Sequence, residues 1–419
     1  MFNLILIIIY KILLDVIYII DIAPYYWGYS GLGYIYDPLR YFFSWFIFIG
    51  FTILYKNLIK LDWSEYSPSN YIYLFIYLFS FIPGIVMFGA GCFELEYFIY
   101  FLLFYLSIYC SYYFLNKVII DNYNFFYNRT VRKTGKILFY LLSTISIFSV
   151  LFVFFYYDFS LFTKSLSNVY EQRAVFKNIE IPKFLSYILA NACIINLIFI
   201  IFLIKKKKYI LSLFVIFIQY LLFSLDASKT VLFANLVTLL FIIFNDKIKF
   251  KYFIFLCLSL FVFTIIYSHF YTMTIPAGYI RRVMFIPNLL SYNYYDFFIN
   301  HEPLYYVLNK TAYPDLGHLI ADLYHNKPSM NANNGLIGDA FANLGYLGSL
   351  IYPLIFSVYI KFMDIVGKCI ESRYIAGLVL LVFITLQNSF FSTSMFSHGL
   401  FVLLIMLYCF PKEDEDIRS

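Results

Sequence analysis

The residues best equipped for chemistry crowd into one polar stretch, 269–340. It holds Arg281 and Arg282 side by side and four of the five histidines, His269, His301, His318 and His325. A guanidinium is a planar, permanently charged fork that grips phosphate oxygens in pairs. Two arginines snorkelling among lipid headgroups is the competing account, of equal weight on spacing alone. Further on, Asp315, His318, Asp322 and His325 recur at steps of three, four and three, along one face of a helix that Pro314 would start. Aligned His and Asp can act as acid and base or hold a divalent metal. The polar side of an amphipathic helix explains them more simply, so no metal site and no cofactor are expected.

Asp339 stands in 333–349, NNGLIGDAFANLGYLGS, where Gly335, Gly338, Ala342, Gly345 and Gly348 share one side of a helix. Small residues so placed permit close backbone approach. A carboxylate near the membrane is costly, so Asp339 should face a cavity or pair with a cation such as an outer-loop arginine. Arg173 closes 170–173, YEQR; a lone loop arginine is more often a surface charge than a site residue. Lys229 sits in a tight turn, 226–229, next to Asp226 as a ready partner. Lys11 and Asp15, midway along the first apolar run, are spaced to pair within a helix.

These residues need a scaffold, and the composition names its class. The chain is 63% hydrophobic and 13% charged, with mean hydropathy +0.79, against roughly 25% charged residues in soluble domains. Apolar runs repeatedly reach the ~20 residues that cross a hydrocarbon core. Their continuity excludes a β-barrel, whose strands alternate. The reading is an all-α polytopic membrane protein, a single integral membrane domain over 1–419. About twelve spans fall near 2–20, 39–55, 71–90, 97–115, 137–157, 184–204, 209–225, 230–244, 252–268, 341–360, 374–391 and 397–411. The run 2–20 ends without a small-residue cleavage site, so no cleaved signal peptide is expected. The cysteines are scattered, at no spacing that suggests zinc or a disulfide framework.

Lys and Arg are retained on the cytoplasmic side of short loops. One set of alternate connections carries most of them, including Lys56 and Lys60, Arg129 to Lys136, Lys205 to Lys208, Lys247 to Lys251 and Lys361 to Arg373. That set is inside, and both termini are cytoplasmic. Two larger loops then lie outside: 158–183 and 269–340. Within the second, 279–298 reads as an apolar, aromatic helix broken at Pro287 and lying in the membrane interface. The excess of positive charge serves topology and needs no nucleic-acid partner.

The YEQR stretch in one outer loop, the RR pair before Pro287 in the next, and NNGLIGDAFANLGYLGS entering the following span resemble bacterial O-antigen polymerases (Wzy type). The likeness covers nearly the whole chain in layout and these short stretches in residues. A paired arginine–glycine repeat described in some members is absent. The resemblance implies a GT-C-like fold in the bacterial inner membrane, with the outer loops periplasmic. It implies a glycosyltransferase of lipopolysaccharide biosynthesis. The growing glycan on undecaprenyl diphosphate would pass to a newly flipped lipid-linked repeat unit. Arg173, Arg281 and Arg282 would hold the diphosphate, with Lys229 beside them, and Asp339, His318 or Glu171 would serve as base. Partners would be the undecaprenyl-diphosphate-linked oligosaccharide, membrane lipids, a chain-length regulator and a flippase. An O-antigen ligase shares this logic and is the first alternative. A flippase or transporter is a distant one, since transporters favour midspan charges and internal repeats.

Overall fold

The computed structural model describes residues 2–59, 67–118, 129–161, 172–173, 175–176, 178–244, 250–271, 275–305, 313–367 and 370–411. Every regular element among them is helical. In a bilayer the backbone must satisfy its own polar groups, and a helix does so within one segment. Among the described residues, eight helical segments are long and apolar enough to span a membrane, and three shorter apolar ones are Tyr209–Leu225, Lys229–Ile243 and Arg373–Asn388. These helices and the first one overlap the positions of the predicted apolar runs, and eight of them have the length and hydropathy that a span requires.

The chain divides into two compact units. Unit 1 holds Met1–Val118, Lys247–Lys361 and Phe383–Phe391; unit 2 holds Ile119–Asp246, Phe362–Val382 and Ser392–Ser419. In unit 1, α1 (Phe2–Ile17) runs through a π-helical segment, Tyr18–Ile22, into α2 (Ala23–Ser30), and α3 (Pro38–Ile59) follows. Next, α4 (Pro68–Ile76) passes through a second π segment, Tyr77–Phe81, into α5 (Ile82–Gly89), and α6 (Leu95–Val118) closes the first half. Unit 2 supplies α7 (Arg129–Tyr156), α8 (Lys183–Lys205), α9 (Tyr209–Asp226) and α10 (Lys229–Phe244). Unit 1 resumes with α11 (Phe250–Phe270) and α12 (Ile275–Ile280). A third π segment, Arg281–Phe285, leads into α13 (Ile286–Ile299), then α14 (Leu316–His325) and α15 (Leu336–Leu344). The remaining helices are α16 (Gly348–Gly367), α17 (Ser372–Asn388), α18 (Phe391–Phe396) and α19 (Leu400–Tyr408).

The α4–α5 rod is almost wholly buried and forms the axis of unit 1. Aromatic rings stack along it: Tyr55 on Tyr77 at 5.9 Å, Tyr55 on Phe81 at 6.1 Å, and Phe81 on Phe101 at 5.9 Å. Their hydroxyls are paired where they sink, as buried tyrosines require. Tyr55 Oη donates to the Tyr105 carbonyl at 2.6 Å, and Tyr105 Oη to Ser80 Oγ at 2.8 Å. A π turn frees carbonyls from the regular ladder, and distant amides meet them here. Asn288 Nδ2 donates to the Ser80 carbonyl at 3.1 Å, and Gln387 Nε2 to the Phe79 carbonyl at 3.1 Å.

Lys11 and Asp15 pair as their spacing predicts, Nζ to Oδ2 at 2.8 Å. Both are buried, and Trp45 of α3 covers the ammonium at 4.0 Å while Tyr41 Oη donates to Asp15 at 3.1 Å. In unit 2 a polar ladder links α7, α8 and α9. Ser146 donates to Asn196 at 2.9 Å, Asn196 to Gln219 at 3.2 Å, and Gln219 to Cys193 Sγ at 3.0 Å. Such side chains join helices that lipid would otherwise separate.

Loops assigned to one side meet within each unit. Lys361 Nζ, charted inside, donates to Asn116 Oδ1 at 2.9 Å at the start of another inner loop. Arg173, expected outside, reaches the turn before Lys229, donating to the Ala227 carbonyl at 3.5 Å.

Three expectations change. Residues 279–298 do not lie along a surface: Met284–Ser291 is buried throughout, and α13 packs against α15. Residues 335–348 are not one helix, because Gly345 turns to φ +55° and separates α15 from α16. The helix expected at Pro314 starts at Leu316 after Asp315, which adopts φ 53°.

Candidate functional site

Arg281 and Arg282 open the third π segment. The Arg281 guanidinium lies over the Tyr26 ring, its central carbon 4.2 Å from the centroid, and is half-buried. Stacking of this kind orients the planar fork. Gly278 makes room for it: a side chain there would meet the Tyr26 hydroxyl at 3.0 Å. Arg282 is exposed. Around the pair, Tyr25, Trp27, Tyr271 and Tyr279 are exposed, the residue types that populate membrane–water interfaces. The pair therefore offers one positioned and one exposed guanidinium, a chemistry able to bind phosphate oxygens.

Arg173 lies in unit 2 and has a structural task. With Gln172, whose Nε2 donates to the Ser224 carbonyl at 2.8 Å, it binds the carbonyls that end α9. Cations and donors suit helix C-termini, where carbonyls lack partners within the helix. Lys229 is exposed at the first position of α10, also in unit 2. Glu171 and Tyr170 lie outside the described residues, as does the side chain of Asp226.

Asp339 is buried and, among the described residues, pairs with no arginine. Its Oδ2 accepts the Phe391 backbone N–H at 2.6 Å and its Oδ1 the Asn343 amide at 2.7 Å; Tyr352 also bonds to it. The expected ion pair is thus replaced by neutral donors, and the carboxylate ties α15 to the first residue of α18. Gly338 lets this helix close on its neighbour, since a side chain there would meet the Ser291 backbone at 3.0 Å.

The polar face of α14 splits rather than converging. His318 Nδ1 bonds the Pro328 carbonyl at 3.0 Å. Facing a carbonyl, Nδ1 must donate, so in the neutral ring it is Nε2 that holds the lone pair a general base needs. His325 Nε2 instead meets Asn293 Nδ2 at 3.1 Å, so its acceptor is taken. Burial, then Lys327, hold His325 below its ordinary value. Among the described residues no group of three His, Cys, Asp or Glu converges as a metal site.

Sequence reasoning missed four contributors. Tyr26 carried no signal beyond its place in an aromatic loop. Asn288 and Gln387 were legible as carboxamides inside apolar runs, which must find partners. Tyr324 donates to Asp296 at 2.6 Å, and burial followed by that bond raises its phenol. Nearby Tyr292 is pushed up to about 12 by burial and by Glu94, so the segment 91–96 faces α13, where Phe93 also meets the Tyr292 ring at 5.4 Å. Comparison with family models, curated proteins and solved structures returns no match for this chain.

Proposed function

We propose that this chain is an O-antigen polymerase, a membrane glycosyltransferase working on undecaprenyl-diphosphate-linked glycans at the periplasmic face of the inner membrane. The observation that carries the reading is the Arg281–Arg282 pair, one guanidinium set by Tyr26 and the other exposed. In the reaction, the bond between the anomeric carbon of the growing chain and its diphosphate oxygen breaks. The electron pair leaves with undecaprenyl diphosphate, and the acceptor sugar's hydroxyl oxygen bonds the anomeric carbon. Charge develops on the diphosphate as this happens, and preorganised cations there lower the barrier. The acceptor proton needs a base, and His318, through Nε2, fits better than Asp339, whose oxygens already hold Phe391 and Asn343.

The test is reconstitution in lipid with only the undecaprenyl-diphosphate-linked repeat unit. A ladder of longer lipid-linked products supports the polymerase; transfer seen only after lipid A core is added would make it a ligase. A second reading, flippase or transporter, gains from the helix interruptions and the buried Lys11–Asp15 pair, features of transporter interiors. Movement of the lipid-linked unit across liposomes, without elongation, would establish it.

A further inference from the structure

Helix interruptions in unit 1 converge on one cavity of about 40 Å³. Its walls include Ser80 of the second π segment, Pro287 and Asn288 just after the third, and Gly335, extended at the entrance to α15. Broken backbone is tolerated at membrane depth where it is buried in protein or lines a cavity, and π segments recur at functional sites. The lining carries no Asp, Glu, Lys, Arg or His. It is neither a diphosphate nor a cation site.

Its polar groups are amides and hydroxyls: Ser80, Asn288, Ser291 and Gln387, against aromatic walls such as Tyr105 and Phe356. Asn288 is 1% exposed, and its Nδ2 is fixed by the carbonyls of Ser80 and Met284. That orientation leaves Oδ1 as an acceptor with no protein donor. Asn334, next in sequence to the lining residue Gly335 but outside the lining itself, is 2% exposed with both Oδ1 and Nδ2 unpartnered, and it packs where Gly338 meets Ser291. A buried carboxamide oxygen without a donor is costly, and a ligand hydroxyl supplies one to Asn288. A volume of this size holds about three water molecules, enough for a hydroxymethyl or ring-edge hydroxyl and too small for a whole sugar.

We propose that this cavity is a subsite for an uncharged, hydroxyl-bearing edge of the substrate glycan, gripped by Asn288 Oδ1. Resting on the polymerase reading, the edge belongs to a neutral sugar of the lipid-linked unit. The subsite recognises the sugar, whereas Arg281 and Arg282 recognise the diphosphate.

The full-length Ser291→Cys protein in lipid nanodiscs is treated with methyl methanethiosulfonate, and residue 291 is read by peptide mass spectrometry apart from the native cysteines. Labelling slowed by the sugar-bearing undecaprenyl diphosphate, and not by undecaprenyl diphosphate without sugar, is the expected result. Equal slowing by both would mean that lipid fills the cavity, and no labelling or no slowing would mean that no sugar reaches it; each overturns the subsite. An elongation ladder from the same preparation separates the two readings. A ladder without protection removes the subsite alone, while protection by free neutral monosaccharides without a ladder keeps the subsite and removes the polymerase.

Discussion

Arg281 works through a contact as well as a charge, because its guanidinium carbon lies over the Tyr26 ring at 4.2 Å. Arg281→Ala and Arg282→Ala should each abolish chain elongation in the reconstituted assay while membrane insertion persists. Arg281→Lys should fail to restore it, since an ammonium neither forks nor stacks in that way. Full-length ladders from both alanine variants would remove the diphosphate assignment. Asp339 gives the opposite expectation. Asp339→Asn keeps an acceptor for the Phe391 N–H and should remain folded and active. Asp339→Ala leaves that buried donor unpaired, at a cost of about 1–3 kcal/mol, visible as a lower unfolding midpoint in detergent. The arginine pair was legible because charge outside a membrane protein's inner loops demands a reason. The role of Asp339 was not, because its partner lies 52 residues away and is a backbone N–H, which sequence spacing does not mark.

At the scale of elements, the Lys11–Asp15 pair anchors α1 against α3 through Trp45 and Tyr41. Lys11→Met strands a buried carboxylate and should cost about 3–5 kcal/mol, while Lys11→Met with Asp15→Leu should recover most of it. Equal losses from the single and double changes in thermal unfolding would show that the pair does not hold the helix. The docking of α14 on α13 depends on pH through His325. Its folded value lies below the ordinary one, so neutral imidazole is favoured by folding. That contribution is complete above the ordinary histidine value of about 6.5 and is lost as pH falls through it towards the folded value. Wild type should therefore lose more thermal stability on acidification than His325→Gln does. Helix positions were legible from apolar runs, but the π segments were not. An apolar run such as 71–90 has the same hydrophobic pattern with or without one extra residue in a turn, and only packing against Asn288 and Gln387 decides it. The Gly345 break was hidden similarly, since small residues at helical spacing suit one helix or two.

For the whole molecule, charge counting assigned sides to loops, and the contacts inside each unit bring same-side loops together. A phosphatase reporter active only outside the cytoplasm should stay silent after Lys206 and be active after Glu302; the reverse would invert the chain. Function remains the least legible level, because short arginine and glycine motifs are shared by enzymes that elongate, ligate or move the same lipid-linked sugars. One feature bears on how such a chain could change. Each π segment, Tyr18–Ile22, Tyr77–Phe81 and Arg281–Phe285, sits inside an otherwise continuous helix and amounts to one residue more than an α-helix needs. Removing one residue would let the same helix run on unbroken, yet turn everything beyond it by about 100° about the axis. Ser80 would then swing from Asn288, and the arginine pair from Tyr26, without any side chain having been replaced. Single-residue deletions are thus a gentler probe of these segments than substitutions: length tuning that retunes direction while leaving chemistry untouched.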